Sequence, residues 1–132
     1  MKDLLCDGFQ ETVDDYLIRH RSILDVLSKL SETSGRINRA VAKAVTTCGC
    51  IRIEAGKQVI PPELGSLESL KEHMKTHVEG KLCDHCREIL EDEIGRNLFY
   101  LAALCNLLDL NLYDILLKEQ ERVACLGIFN FS

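Results

Sequence analysis

The chain has 132 residues, 46% of them hydrophobic and 28% charged, with two prolines and no tryptophan. That length admits one domain with a real core and excludes two, and the composition excludes a disordered chain. A net charge of −5 argues against a general nucleic-acid binder.

No run approaches the roughly 20 apolar residues that span a bilayer, so no membrane partner is expected. The opening Met1-Lys2-Asp3-Leu4-Leu5-Cys6-Asp7 lacks the apolar core and cleavage site of a secretory signal. Seven cysteines cannot all pair within one chain. These features point to a reducing, cytoplasmic setting, where clustered cysteines bind metal or react rather than staple a fold.

Apolar residues at three- and four-residue steps from about Gln10 to Ser31 (Val13, Tyr16, Leu17, Ile23, Leu24, Leu27, Leu30) predict an amphipathic helix. Gly35 is read as a break, and Ile37, Val41, Ala44 and Val45 as a second, shorter helix ending near Thr47. Residues from about 48 to 62 read as irregular. Ile51 and Ile53 alternate with Arg52 and Glu54, which admits a brief extended piece, and Pro61-Pro62 rules out helix. Ser66 is placed as the N-cap of a third helix through Leu67, Leu70 and Met74, stopped by Gly80.

The fourth helix is expected from about Cys83 to Leu108, apolar on nearly every side from Leu98 onward. Leu98, Phe99, Leu101 and Leu104 surround it, so it should lie at a bundle centre or a subunit interface. Asn111 caps a fifth helix, with Asp114 three residues on, ending near Gly127. The tail Ile128-Phe129-Asn130-Phe131 is apolar enough to dock on its own core or a partner. Asn97 and Asn106 lie in apolar surroundings and need hydrogen-bond partners, as register or dimer contacts.

Two short hooks carry the most specific chemistry. Cys48-Gly49-Cys50 and Cys83-Asp84-His85-Cys86 are separated by 32 residues. Each hook sets two sulfurs on one side of a tight turn, and two hooks close a zinc tetrahedron. Cys48, Cys50, Cys83 and Cys86 are therefore the candidate metal ligands, with His77 and His85 in reserve. Two other readings stand beside this one: small buried core cysteines, or a redox pair at Cys83 and Cys86 at a helix start. Cys105, inside the apolar run, reads as core.

Residues 36 to 57 hold Arg36, Arg39, Lys43, Arg52 and Lys57 against Glu54 alone. Such a stripe suits a phosphate, a nucleotide or an acidic surface; it otherwise reads as an ordinary solvated face, or as one paired with the acidic stretch from Asp84 to Glu93.

Asp92-Glu93-Ile94-Gly95-Arg96-Asn97-Leu98-Phe99, followed by an apolar helix and Asp109-Leu110-Asn111-Leu112-Tyr113-Asp114-Ile115-Leu116, resembles the last helices of the MazG-like, all-α nucleoside triphosphate pyrophosphohydrolases. Glu32-Thr33-Ser34-Gly35-Arg36-Ile37 falls in register with that family's earlier acidic helix. Together the blocks cover about half the chain. The resemblance implies an all-α bundle of about five helices over residues 1–132, with the cysteine segment as an irregular insertion, assembled as a homodimer or larger homo-oligomer.

The family's chemistry needs acidic pairs on facing helices to hold Mg²⁺ against substrate phosphates. At the matching positions stand Thr33 and Arg36, then Glu93 and Arg96. Only Glu93 keeps a carboxylate, so the expected protein is non-catalytic: a nucleotide- or phosphate-sensing or protein-interaction module, with Arg36, Arg39 and Arg96 as the phosphate contacts. The alternative is an active Mg²⁺-dependent pyrophosphohydrolase with a shifted site. It would use Glu88, Glu91, Asp92 and Glu93, with Glu32 opposite; the first three otherwise read as an acidic face at a helix start.

Overall fold

A computed structural model describes residues 2–18, 21–60, 65 and 67–126. Five α-helices and one two-stranded sheet make up these residues: α1 (Lys2–Tyr16), α2 (Ile23–Lys43), β1 (Ile51–Ile53), α3 (Leu67–His73), β2 (Val78–Gly80), α4 (Asp84–Leu107) and α5 (Leu112–Leu126). The all-α class expected from the sequence is what the chain adopts. Among the described residues, no single helix is long and apolar enough to cross a membrane.

The first predicted helix is two helices. Arg21 ends the first: its guanidinium donates to the carbonyls of Asp14 (3.3 Å) and Leu17 (3.2 Å). Ser22 starts the next, its hydroxyl accepting from the Leu24 N–H at 3.3 Å. Leu17, between them, is buried in the core. Gly35, expected to break the helix, lies inside α2, which runs unbroken to Lys43. A mid-helix glycine costs only about 1 kcal/mol against alanine, and packing on α4 outweighs that.

The core gathers Val13 and Leu17 of the first segment, Val26 of α2, and Ala102 and Ala103 of α4. Leu30, Phe99, Leu104, Leu107 and Leu112 pack around them. The alanines let α1 and α2 approach α4 closely. α2 and α4 form the most extensive pair and run antiparallel, since Thr33 meets Asn97 and the end of α2 meets the start of α4. The encircling apolar surface of α4 is only partly covered. Phe99 and Leu104 pack on the core, but Leu98 and Leu101 remain 47% and 39% exposed.

Both asparagines are used between helices. Asn97 Nδ2 donates to Thr33 Oγ1 at 3.0 Å, joining α4 to α2, and Asn106 Nδ2 donates to the Gln10 carbonyl at 2.9 Å, joining α4 to α1. Asn111 caps α5 as expected, its Oδ1 accepting from the Asp114 N–H at 2.9 Å.

The extended piece at Ile51–Ile53 is present and pairs antiparallel with β2, Ile51 opposite Gly80 and Ile53 opposite Val78. Gly80 therefore does not stop the third helix, which ends at His73. It belongs to a strand with φ +89°, where a Cβ would lie 2.6 Å from the Cys50 carbonyl oxygen. Only glycine fits there. The Pro61-Pro62 break, the Ser66 cap, the Gly127 terminus and the apolar tail lie outside the described residues.

Candidate metal centre

Beyond Lys43 the backbone widens into one π-helical turn, Ala44–Cys48, closed by Gly49. The Gly49 N–H donates to the Ala44 carbonyl at 2.8 Å, and the left-handed φ of +80° at Gly49 reverses the chain. Single π turns frequently mark functional sites. Here the turn presents Cys48, and the reversal brings Cys50 back beside it before β1 begins.

The second hook is the start of α4. Cys83 is the N-cap, and its Sγ accepts from the Cys86 backbone N–H at 3.4 Å. Cys86 follows in the first turn. The β1–β2 pairing holds this hook against the first, because Cys50 directly precedes β1 and Cys83 closely follows β2. Four sulfurs, two from each hook, lie within 4.8 Å of one another. Cys48 Sγ and Cys83 Sγ are 3.8 Å apart. A tetrahedron with Zn–S bonds of about 2.3 Å has edges of about 3.8 Å, so the cluster is sized for one ion. All four thiols are free.

The thiols perturb one another. The Cys86 backbone N–H, followed by the Cys86 thiol, holds Cys83 down to about 7. Interaction with Cys83, then burial, pushes Cys86 up to about 12. One thiolate is thus available near neutral pH, and a dication is what allows the remaining thiols to ionise beside it. The two reserve ligands are not drawn in. His77 Nε2 faces the Gln58 side chain at 3.4 Å, and His85 is exposed. The cluster can hold a metal ion with a complete sulfur shell, which is the composition of a structural centre rather than one with an open catalytic position.

The basic residues are placed differently. Arg36 is half-exposed on α2 and pairs with Glu32 at 3.3 Å, while Lys29 reaches the same carboxylate at 3.0 Å. Lys29, then Arg36, holds the Glu32 carboxyl below its ordinary range. Arg39 and Lys43 are exposed along α2. Arg96 donates to Glu93 Oε1 at 2.7 Å. Glu88, Glu91 and Asp92 are exposed, whereas Glu93 is buried, with an Oε2 that has no hydrogen-bond partner among the described residues. Among the described residues, these carboxylates do not close into a group of three metal-ligating side chains; the four cysteines do.

Two features escape a reading of the sequence. Gln10 is buried and clamps the α4–α5 turn, donating from Nε2 to the Leu110 carbonyl (2.6 Å) and accepting at Oε1 from the Leu112 N–H (2.9 Å). Beside it an open cavity of about 640 Å³ is lined by Asp7, Glu11, Asp14 and Asp15 of α1 and by Asp109 of the turn. The spacing of Asp7, Glu11 and Asp14 by four and three residues is a visible acidic stripe; the turn that completes the cavity is not. Cys105 is buried as expected, and burial pushes its thiol up.

Comparison of the chain with family models, curated proteins and solved structures gave no match in any of the three.

Proposed function

We propose that this protein is a non-catalytic, MazG-like helical module in which a structural zinc ion at Cys48, Cys50, Cys83 and Cys86 pins the end of α2 to the start of α4, and which binds a nucleotide or other phosphate ligand. The observation that carries the zinc reading is the convergence of four sulfurs within 4.8 Å from two hooks 35 positions apart. Zinc suits an all-sulfur tetrahedron, whereas a multi-iron cluster spreads its thiolates further apart.

The MazG-like reading is supported by the burial of Thr33 and Glu93 on facing helices, the positions that align with two of that family's metal-binding acids. Without the other acids, the guanidiniums of Arg36, Arg39 and Arg96 favour phosphate over Mg²⁺. Self-association follows from α4, whose Ile94, Leu98 and Leu101 form an exposed apolar stripe at i, i+4 and i+7, and from α5, which buries no residue fully. A homodimer or larger homo-oligomer covers these faces.

Elemental analysis of the purified protein, with calorimetric titration of nucleoside triphosphates, tests the reading. About one zinc per chain and nucleotide binding that weakens in Arg36→Ala and Arg96→Ala are expected. Metal-free protein with four freely reactive thiols refutes the zinc centre, and the absence of any nucleotide or phosphate binding refutes the sensor.

One observation favours a second reading, the Mg²⁺-dependent pyrophosphohydrolase. The Glu93 Oε2, without a hydrogen-bond partner among the described residues, is a hard oxygen donor on the helix that carries Glu88, Glu91 and Asp92. Release of pyrophosphate from any nucleoside triphosphate with Mg²⁺ distinguishes this enzyme from the sensor.

A further inference from the structure

The four thiols are unequally accessible. Cys48 is exposed, while Cys50, Cys83 and Cys86 are half-buried. Its Sγ stands 3.8 Å from Cys83 Sγ, so closing to a disulfide length of about 2.05 Å needs a shift of only about 1.8 Å. Cys48 also has open space beside it. It is the last residue of the π turn, and Gly49 follows it with φ +80° and no heavy atom within 4 Å of where a Cβ would stand. Cys83, by contrast, is anchored as the N-cap of α4.

We propose that the cysteine centre is a peroxide-sensitive thiol switch, in which oxidation joins Cys48 to Cys83 and expels the metal. The inference rests on the zinc reading above. The Cys48 thiolate attacks one oxygen of hydrogen peroxide; the O–O bond breaks, hydroxide leaves, and Cys48 becomes a sulfenic acid. The Cys83 thiolate then attacks the Cys48 sulfur, forming the S–S bond and releasing a second hydroxide. Two sulfurs have together lost two electrons, and one peroxide has been reduced by two. The ion keeps only Cys50 and Cys86, half of its closed shell, and leaves. The two helix ends stay linked, now covalently, and a dithiol reductant with added zinc restores the starting state.

The test treats the zinc-loaded full chain with hydrogen peroxide, follows zinc with a chromophoric chelator and maps disulfides by peptide mass spectrometry. Zinc release in step with a Cys48–Cys83 bond, reversed by dithiothreitol and zinc, is expected. Cys48→His retains a four-ligand site without the attacking thiol and should release zinc roughly tenfold more slowly. If that variant binds no zinc, the mapped bond in the unmodified chain decides alone. Zinc retained under peroxide, loss through irreversible sulfinic acids, or a Cys83–Cys86 bond in place of Cys48–Cys83 each overturns the switch. Protein that holds no zinc before peroxide refutes the metal reading instead. On such metal-free chains a Cys48–Cys83 bond still supports the thiol pair, and its absence overturns it.

Discussion

Asn97 of α4 donates a 3.0 Å hydrogen bond to Thr33 of α2, across 64 positions of sequence. Thr33 Oγ1 in turn donates to the Lys29 carbonyl at 2.9 Å. A hydroxyl and an amide therefore link the middles of α2 and α4, and further along the same antiparallel pair the segment after α2 meets the start of α4 at the cysteine hooks.

The non-catalytic reading proposed above predicts no significant hydrolysis of common nucleoside triphosphates with Mg²⁺ or Mn²⁺. Thr33→Glu, Arg36→Glu and Arg96→Asp together should create Mg²⁺ binding, read by calorimetry, because they restore oxygen ligands beside Glu93. Turnover by the unmodified protein that disappears in Glu88→Gln or Glu91→Gln would establish the shifted-site enzyme.

Replacing Cys83 or Cys86 by serine should release the metal and lower the thermal midpoint. An ion present at about 1,000 times its dissociation constant stabilises the folded state by about 4 kcal/mol, so the loss is measurable by calorimetry. Variants with unchanged zinc content and midpoint would remove these residues from the centre.

The metal-free chain should show a pH dependence from Cys83. Its thiol is held near 7 against an ordinary 9.0, so the folded chain binds fewer protons than the unfolded one between those values. The stability this group contributes is present above about 9 and is lost as pH falls through about 7. Thiolate absorbance in the ultraviolet should titrate with a midpoint near 7 and lose that step in Cys83→Ser.

Gln10→Leu should cost about 1–3 kcal/mol in urea unfolding, because it leaves the Leu110 carbonyl and Leu112 N–H without their partner. A change within a few tenths of a kcal/mol would mean that water replaces the amide.

Two glycine substitutions should act in opposite directions. Gly35→Ala, inside α2 with open space at its Cβ position, should stabilise by up to about 1 kcal/mol. Gly80→Ala meets both a positive φ and the Cys50 carbonyl and should destabilise the strand pair and weaken metal retention. Equal effects in thermal unfolding would contradict this account.

By itself the sequence determined what depends on neighbours along the chain. The periodicity of α4 and α5, the Asn111 cap, the extended Ile51–Ile53 segment and the two cysteine hooks are all local patterns, and they are all present. The division of the first helix was encoded in Arg21 and Ser22, but the apolar period continued across the break and masked it. Gly35 and Gly80 misled for a related reason: a glycine has no side chain to declare its role, and its surroundings decide whether it ends a helix, rides inside one or admits a carbonyl. Only the tertiary structure decided which apolar face of α4 is covered, that Gln10 spans to Leu110, that Glu93 is buried while Glu91 and Asp92 are not, and that an acidic stripe on α1 becomes a cavity wall. Each of these depends on contacts between residues about 60 to 100 positions apart, whose geometry is set by the packing of α1, α2 and α4 and by no local preference.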